Sequence, residues 1–262
     1  MKIFFSKYEG TGNDFILIDD RAKTFPAADE KLVNHLCDRR FGIGADGLIL
    51  LQDDSTGNFR MVYFNADGKE GSMCGNGGRC IVAFAKKLGI IKTEASFPAA
   101  DGLHSAVITD EKKSIVKLKM GDVSSVETAS DHFFLNTGSP HYVLFIDDVM
   151  KVDVVAEGRK IRYNDRFKKD GTNVNFVQPD ENGIKIRSYE RGVEDETLSC
   201  GTGATASALA AFAKGMTKDS HVCTVKVMGG ELKIYFEKNG SGFKDIWLEG
   251  PATFVYSGEI DV

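Results

Sequence analysis

The sequence repeats itself at a single offset, and this repeat constrains the fold more than any other feature. Cys-Gly-Asn-Gly at residues 74–77 recurs as Cys-Gly-Thr-Gly at residues 200–203. A Thr-Gly pair at residue 11 recurs at residue 137, and glycines that end two helical segments stand at 89 and 215, so all three anchors are 126 residues apart. A shared offset over this distance predicts two similar halves that arose by internal duplication.

Local patterns along the chain predict more strands than helices. The predicted strands are Lys2–Tyr8, Phe15–Ile18, Phe59–Phe64, Ser114–Lys119 and Lys233–Glu237. The predicted helices are Asp29–Cys37, Arg79–Leu88, Val152–Ile161 and Thr205–Lys214. We expect a mixed α/β protein of the α+β class with two structurally similar domains, each a strand-rich sheet or barrel around a central helix. The active site is expected in the interdomain cleft.

A polar stretch rich in Ser and Thr, from Gly121 to Ser130, separates the last strand of the first half from the second Thr-Gly anchor. Such composition is typical of a domain boundary. We therefore expect a first domain over residues 1–124, which carries Cys74, and a second over residues 125–262, which carries Cys200. A C-terminal strand near residues 251–262 could pack back on the first domain.

Composition and charge exclude several classes of protein. The net charge is −5 and no block of Lys or Arg occurs, which argues against a nucleic-acid partner. The apolar run at the N-terminus, within Met1–Lys7, is too short for a signal-peptide core, and no later stretch approaches the length of a membrane span. The five cysteines are an odd number without the spacing of a disulfide framework, which favours thiols in a reducing compartment. We expect a cytoplasmic protein with no membrane or nucleic-acid partner.

Cys74 and Cys200 each precede Gly-x-Gly and a helical segment, so each sulfur is expected at a helix N-terminus. The unpaired N–H groups and the helix dipole favour an anion there and lower the pKa of a cysteine. The glycines allow a ligand to approach the backbone closely. Both cysteines are therefore candidates for acid–base chemistry, and both helix starts for binding a carboxylate.

A pair of thiols suits the inversion of a stereocentre. One group removes a proton from one face of an α-carbon while the other returns a proton to the opposite face. With each sulfur about 3.5 Å from that carbon, the sulfurs would be about 7 Å apart. Two thiolates at that separation repel by about 2 kcal/mol at an effective dielectric constant near 20, so the pair is expected to keep one proton.

Several segments together resemble the diaminopimelate epimerase family. They run from residue 10 to the closing Gly250-Pro251-Ala252 and occur in the family's order. The segments are Gly10-Thr11-Gly12-Asn13-Asp14-Phe15, Phe64-Asn65-Ala66-Asp67-Gly68, Cys74-Gly75-Asn76-Gly77-Gly78-Arg79-Cys80, Gly171-Thr172-Asn173-Val174-Asn175-Phe176, Tyr189-Glu190-Arg191-Gly192 and Cys200-Gly201-Thr202-Gly203. The resemblance implies interconversion of LL- and meso-2,6-diaminopimelate for lysine and peptidoglycan precursor biosynthesis, with no cofactor and no metal.

The resemblance also implies roles for individual residues. Cys74 and Cys200 become the acid and base. The residues expected to hold the reacting carboxylate are Gly75, Asn76, Gly201 and Thr202. Those expected to bind the distal amino-acid centre are Asn13, Asn65, Asn173, Glu190 and Arg191. His141 matches a histidine that tunes the thiol pKa values, whereas Ser139 stands where many members carry Asn. Gly47 lacks an amide side chain that some members carry and receives no role.

Other interpretations of the same residues remain open. Cys37, Cys80 and Cys223 are expected to be small buried hydrophobic residues without a function. The nearest rival activity is that of a proline or hydroxyproline racemase, but such enzymes resemble Cys-Gly-His-Gly where this chain has Asn76. A thiol redox protein and a non-catalytic binding module are alternatives from other classes. We expect a small-molecule amino-acid substrate and either a monomer or a homodimer.

Overall fold

The computed structural model describes residues 1–217 and 221–262, and within them strands outnumber helices. The strands are β1 (Lys2–Gly10), β2 (Asn13–Asp19), β3 (Gly47–Gln52), β4 (Arg60–Asn65), β5 (Glu94–Ala99), β6 (Gly102–Asp110), β7 (Ile115–Lys119), β8 (Glu127–Thr128), β9 (Phe133–Asn136), β10 (Pro140–Phe145), β11 (Asn173–Asp180), β12 (Gly183–Glu190), β13 (Asp195–Thr197), β14 (Val222–Val227), β15 (Gly230–Asn239), β16 (Gly242–Pro251) and β17 (Thr253–Asp261). The α-helices are α1 (Glu30–Cys37), α2 (Gly75–Lys87), α3 (Val154–Arg162) and α4 (Gly201–Ala213). None of these helices is both long and apolar enough to cross a membrane.

The chain forms two compact units. The first consists of Met1–Leu118 and Gly250–Val262, and the second of Lys119–Glu249. The first unit is discontinuous because β17 returns to pair antiparallel with β1, from Lys2↔Asp261 to Glu9↔Thr253. The domain limits expected from the sequence, 1–124 and 125–262, stay a prediction.

The first unit has a five-stranded sheet in the order β17-β1-β2-β3-β4, and β5, β6 and β7 form an antiparallel meander. Only β2 and β3 of the five-stranded sheet are parallel. Helix α2 is buried along most of its length, from Gly75 to Ala85. A helix buried all round is typical of a central core element, which agrees with the expectation of a sheet around a helix.

The second unit repeats this plan. Its strands follow the order β16-β15-β14-β12-β11-β10-β9-β8, and α4 is buried over nearly its whole length. Strands β10 and β11 are parallel, with His141 opposite Asn173. The parallel pair of the first unit places Phe15 opposite Gly47, and each of these positions is 126 residues before its counterpart. The duplication therefore extends to the register of the sheets.

Helices α2 and α4 begin earlier than the sequence pattern predicts, at Gly75 rather than Arg79 and at Gly201 rather than Thr205. The Gly-x-Gly segments are thus first helical turns, although glycine disfavours helices. Close packing around the two turns explains why glycine occupies these helical positions. A Cβ atom at position 77 would lie 2.9 Å from Ile49 Cδ1, and one at position 203 would lie 2.5 Å from Asn175 Oδ1.

The same two helices end alike. Gly89 and Gly215 follow them with φ of 74° and 76°, in the left-handed region. Gly89 N–H donates to Lys86 O and Ile90 N–H to Ala85 O, each at 3.0 Å. This pair of bonds is a Schellman motif, whose left-handed residue is usually glycine. The helix ends predicted at these glycines are confirmed.

We predict that Gly89→Ala and Gly215→Ala destabilise the protein by similar amounts, about 1–2 kcal/mol each, because a side chain is strained in the left-handed region. No heavy atom lies within 4 Å of the added Cβ at either site, so the loss reflects backbone strain alone. Urea denaturation followed by circular dichroism measures it. Gly121→Ala is the control, because that glycine is equally open without a left-handed φ. Equal stability of all three variants would contradict the prediction.

Candidate active site

Cys74 is the N-cap residue of α2, with extended backbone angles of φ −101° and ψ 124°. Its Sγ donates to Asn13 Oδ1 at 3.6 Å, and Asn76 Nδ2 donates to the same oxygen at 3.1 Å. Asn13 is the first residue of β2, and Asn76 is buried in the first turn of α2. The structure therefore brings Cys74, Gly75, Asn76 and Asn13 together, although the resemblance assigns Gly75 and Asn76 to the reacting carboxylate and Asn13 to the distal centre.

A charged network behind Asn13 holds its amide. Asn13 Nδ2 donates to Asp46 Oδ2 at 2.7 Å, which directs Asn13 Oδ1 toward Cys74. Arg39 Nη2 bridges Asp46 and Asp14, at 2.7 Å from an oxygen of each. Asp14 also pairs with Lys7 at 2.6 Å, and the Lys7 side chain is only 8% exposed. Asp46 is a supporting residue that sequence reasoning missed.

Asn65 lies at the same end of the first-unit sheet, at the last residue of β4 and opposite Gly47. Its side chain is exposed, and its Oδ1 accepts from the hydroxyl of Tyr63 at 3.0 Å. The amide therefore binds Tyr63 rather than Asn13. Asn65 therefore lies at the same end of the sheet as Asn13, but among the described residues its side-chain hydrogen bond is to Tyr63 and not to Cys74, Asn76 or Asn13.

Arg79 is completely buried beneath the start of α2. Its guanidinium donates to Pro251 O at 3.2 Å, to Gly75 O at 3.4 Å and to Thr11 Oγ1 at 3.5 Å. Among the described residues, no carboxylate forms a salt bridge with it. Burial lowers its pKa, with Cys80, Cys74 and Glu9 acting in the opposite direction, but a guanidinium keeps its proton in proteins. The start of α2 thus carries a buried positive charge.

Cys200 is the N-cap residue of α4 and is buried. Its Sγ accepts from Gly203 N–H at 3.3 Å and lies 3.4 Å from Thr202 Oγ1. Thr202 O accepts from Thr137 Oγ1 at 2.9 Å, which ties this turn to the segment before β10. The N-cap positions predicted for both cysteines are confirmed, and Gly201 and Thr202 form the first turn beside the sulfur.

His141 is a fully buried histidine in the same group. Its Nε2 lies 3.0 Å from Ser139 Oγ, and Asn173 Nδ2 donates to that oxygen at 2.9 Å. Burial, and after it the charge of Arg191, lower the pKa of His141 to about 3. A histidine with this pKa is neutral near pH 7. The structure therefore brings Ser139, His141 and Asn173 together beside Thr202.

Glu190 and Arg191 end β12 and begin the turn that follows it. Arg191 N–H donates to Asn173 Oδ1 at 2.9 Å, and Arg191 Nη1 donates to Asp170 O at 2.7 Å. Glu190 Oε1 accepts from Thr197 Oγ1 at 2.6 Å. Arg191 is thus joined to the His141 group through its backbone, and both side chains are anchored by neighbouring loops and strands.

Asn175 and Ser188 also belong to the second-unit group, and sequence reasoning gave neither a role. Asn175 Nδ2 lies 3.0 Å from His141 Nδ1, and Ser188 Oγ donates to Asn175 Oδ1 at 2.8 Å. The sequence contained a signal for Asn175, since it is two residues from Asn173 on one strand and so lies on the same face of that strand.

Among residues 1–217 and 221–262, no cluster of three or more His, Cys, Asp or Glu side chains could hold a metal ion.

We predict that Asp14→Asn lowers the free energy of unfolding at pH 7 by about 3 kcal/mol, because it leaves the buried Lys7 ammonium with the Gly44 carbonyl but without its carboxylate partner. Burial raises the pKa of Asp14, but hydrogen bonds from Arg39 and Lys7 outweigh it and lower the pKa to about 2. A carboxyl group with a lowered pKa stabilises the folded state above its unfolded pKa, near 4, and loses this effect as the pH falls through about 2.

The difference between wild type and Asp14→Asn should therefore shrink as the pH falls from about 5 toward 2. Urea denaturation at a series of pH values measures it. Glu127→Gln is the control, because it breaks an exposed pair with Arg166 that contributes at most about 1 kcal/mol. A difference that stays constant with pH would contradict this account of Asp14.

Comparison of this chain with known proteins identifies a family that it matches. The model of a family described as diaminopimelate epimerase matches residues 5–126 and again residues 133–255. The diaminopimelate epimerase of Flavobacterium psychrophilum is 53% identical over 261 residues, which cover 99% of this chain and 100% of the relative. The two matched ranges agree with the internal duplication.

Two solved structures share the fold over nearly the whole chain. A phenazine biosynthesis protein of the PhzF family from Bacillus anthracis has a TM-score of 0.77 at 13% identity, with 100% of both chains covered. A hydroxyproline epimerase from Agrobacterium vitis, solved with trans-4-hydroxy-L-proline, has a TM-score of 0.71 at 14% identity, with 99% and 92% covered. At this identity the likeness shows the two-domain fold alone. The family match over both halves and the full-length relative show that the chain belongs to the diaminopimelate epimerase family.

Proposed function

We propose that this protein interconverts LL- and meso-2,6-diaminopimelate, with Cys74 and Cys200 as the two acid–base groups. The observation that carries the proposal is the pair of N-cap cysteines, one on each helix of the duplicated fold, in a chain of this family. Each sulfur adjoins a helix N-terminus, where the backbone favours an anion. The reaction requires the two sulfurs to reach one α-carbon from opposite faces.

In the proposed mechanism one cysteine is a thiolate and the other a thiol. The thiolate takes the α-proton, and the electron pair of the C–H bond passes into the substrate carboxylate as an enediolate. The thiol then gives its proton to the opposite face, which leaves the two cysteines with exchanged roles. The reverse direction uses the exchanged state. Protons and electrons balance without a cofactor.

The α-proton of an amino acid is far less acidic than a thiol, so the enediolate needs strong stabilisation. The N–H groups at Gly75 and Asn76 and at Gly201 and Thr202 are suited to hold the reacting carboxylate. The buried charge of Arg79, bonded to Gly75 O, adds to the positive potential at the start of α2. Burial of both first turns strengthens these interactions because water does not screen them.

The other end of diaminopimelate carries a second ammonium and a second carboxylate. Arg191 offers a forked donor for the carboxylate, and Glu190 an acceptor for the ammonium. The proposed distal-centre residues are completed by Asn13, Asn65 and Asn173. The same proposal includes a cytoplasmic location and a role in lysine and peptidoglycan precursor biosynthesis. It also includes a monomeric or homodimeric state.

The deciding experiment incubates the protein with LL-diaminopimelate in heavy water without added cofactor. We expect loss of the α-hydrogen signal by NMR together with formation of the meso isomer by chiral chromatography. Proline and trans-4-hydroxyproline are tested in parallel. Turnover of proline alone would refute the assigned substrate. A thiol redox protein would instead show a reversible disulfide in its working cycle and no inversion.

Cys74→Ala and Cys200→Ala should each reduce epimerisation by about 100-fold or more, because each removes one of the two proton-transfer groups. Each variant retains one sulfur, so residual hydrogen exchange should occur with one stereoisomer only and with retention of configuration. Cys223→Ala is the control, because that buried cysteine lies on β14 outside the proposed site. Unchanged epimerisation in either catalytic variant would refute the two-base mechanism.

Arg191→Gln should lower kcat/KM for diaminopimelate by about 10- to 100-fold, because it removes a charged donor from the distal carboxylate. Arg166→Gln is a matched control on the same unit, where the native guanidinium pairs with Glu127 on the surface. Steady-state kinetics measures both variants. Equal kcat/KM in the two variants would remove Arg191 from the substrate-binding set.

A further inference from the structure

The turn that carries Glu190 and Arg191 contains a strained residue, Glu194. This turn consists of residues 190–194, and we call it the 190–194 loop. Its ends are joined by Glu194 N–H, which donates to Glu190 O at 2.7 Å. Gly192 and Glu194 both have positive φ, of 94° and 60°. Glycine adopts such angles readily, whereas a residue with a side chain is strained there. The surrounding structure must therefore hold Glu194 in this conformation.

The carboxylate of Glu194 is held by groups from the loop itself, from β12 and from the end of α3. Oε1 accepts from Gly192 N–H at 3.1 Å. Oε2 accepts from the hydroxyl of Tyr189 at 2.8 Å and from that of Tyr163, the C-cap residue of α3, at 3.0 Å. Arg162 Nε lies 3.4 Å from Oε1 and forms an ion pair with it. We call Glu194 together with these four partners the Glu194 clamp.

The clamp depends on charge as well as on shape, because Glu194 is ionised near pH 7. Burial raises the pKa of Glu194, but hydrogen bonds from Gly192, Tyr189 and Tyr163 and the charge of Arg162 outweigh burial and hold the pKa below its ordinary value. Hydrogen bonds to an ionised acceptor are about twice as strong as those between neutral groups. The ionised carboxylate therefore offsets the backbone strain at its own residue.

The partners of Glu194 are themselves fixed by packing. Tyr189 is completely buried, and a Cβ atom at position 158 of α3 would lie 2.5 Å from Tyr189 Cβ. Helix α3 thus approaches β12 closely at Gly158, and the two tyrosine hydroxyls meet at one carboxylate oxygen. Arg162 lies over the ring of Tyr163, with 4.7 Å between Cζ and the ring centroid, and donates to Phe167 O at 3.2 Å. The clamp therefore joins the loop to regular elements of the second unit.

Arg191 is placed by the same structure. Its N–H donates to Asn173 Oδ1 at 2.9 Å, and its Nη1 donates to Asp170 O at 2.7 Å. A Cβ atom at position 171 would lie 2.5 Å from Arg191 Cδ and 2.8 Å from Arg162 Cζ. Both arginine side chains therefore pack against Gly171. Arg162 is thus a neighbour of the Glu194 carboxylate on one side and of the Arg191 side chain on the other.

We propose that Glu194 is a positioning residue for the distal end of the substrate, because its carboxylate holds the 190–194 loop in the conformation that presents Arg191 and, beside it, Glu190. A guanidinium and a carboxylate held at a fixed spacing suit a substrate whose second end carries both a carboxylate and an ammonium. The inference rests on the proposed function for the identity of that substrate. Glu194 acts through the loop, since its own oxygens are occupied by the clamp.

A loop that is ordered before binding pays little conformational entropy when the substrate arrives. Without the clamp, the loop samples other conformations, and the apparent affinity falls in proportion to the fraction that remains competent to bind. The proton transfer takes place at the other end of the substrate. Loss of the clamp should therefore raise KM and leave kcat nearly unchanged, which is the signature of lost uniform binding.

Glu194→Asn and Glu194→Gly remove the clamp without adding backbone strain. Asparagine tolerates the left-handed conformation but is too short to reach the tyrosine hydroxyls, and glycine has no strain there. We expect each variant to raise KM for LL-diaminopimelate by about 10-fold and to change kcat by less than about threefold. The matched control is Glu157→Asn, which breaks an exposed pair with Lys160 on α3. A KM equal to that of this control would overturn the proposal.

A double-mutant cycle tests whether Glu194 acts through Arg191. In the Arg191→Gln background the loop has lost the charge that it presents, so Glu194→Asn should lower kcat/KM by a further factor of about three or less. A full 10-fold loss on top of that of Arg191→Gln would show that the two residues act independently. That result would refute the assignment of Glu194 as a positioning residue for Arg191.

Amide hydrogen exchange, followed by NMR, tests the clamp without any substrate. In the wild-type protein the Gly192 amide is bonded to Glu194 Oε1 and the Glu194 amide to Glu190 O. In Glu194→Asn we expect the amides at positions 192 and 194 to exchange at least about 10-fold faster, while those of α4 keep their rates. Unchanged exchange at Gly192 would refute the clamp. Equal acceleration in α4 would show a general loss of stability and would refute it as well.

The outcomes separate this inference from the proposed function. If the wild-type protein epimerises diaminopimelate and Glu194→Asn keeps the wild-type KM, the function stands and the inference fails. If the wild-type protein does not epimerise diaminopimelate while the loop amides of Glu194→Asn still exchange faster, the proposed function fails and the hold of Glu194 on the 190–194 loop stands.

Discussion

The close packing around the first turns of α2 and α4 is the constraint on which the rest of the structure depends. Each turn lies so near strand or N-cap side chains that a Cβ atom at position 77 or 203 would force a neighbouring side chain to shift. Burial excludes water from the helix N-termini. The unpaired N–H groups and the helix dipole therefore interact electrostatically with the polar side chain at the N-cap. In both units that group is a cysteine sulfur. The glycines thus create the environment in which the thiols can react.

Much of this arrangement was predictable because its signals are local or repeated. The 126-residue offset predicted two similar halves, and the repeated sheet register and the two matched family ranges confirm them. The N-cap positions of Cys74 and Cys200 followed from the residues beside them. The predicted starts of α2 and α4 were less accurate, because a sequence pattern with glycine in the first turn indicates a loop unless the packing around that turn is known.

The parts that were not predictable join residues far apart in the sequence. Nothing near Arg79 indicates that its guanidinium binds Pro251, 172 residues away. The roles of Asn175 and Ser188 depend on strand register and on complete burial of His141, and neither can be inferred from single-sequence patterns. Asp46 orients Asn13 only because β2 and β3 are parallel neighbours. Side-chain networks of this kind depend on tertiary structure, whereas caps and helix ends depend on adjacent residues.

The two halves differ in the residues that surround the sulfurs. The first carries the buried charge of Arg79, where the second has Thr205 bonded to Gly201 O. The second carries His141, where the first has Phe15. LL- and meso-diaminopimelate are diastereomers rather than mirror images, so a catalyst that interconverts them has no need for equivalent halves. A duplicated fold supplies the paired geometry, and later divergence can adjust each thiol separately.

The pairing of β17 with β1 determines when each unit can be completed during synthesis. The second unit is one continuous segment, Lys119–Glu249, and has all of its strands once that segment has emerged from the ribosome. The first unit lacks its edge strand until Thr253–Asp261 is made, at the far end of the chain. The sheet of the first unit therefore has an unpaired edge at β1 until the last strand is present, and an unpaired sheet edge is a template for pairing with another chain.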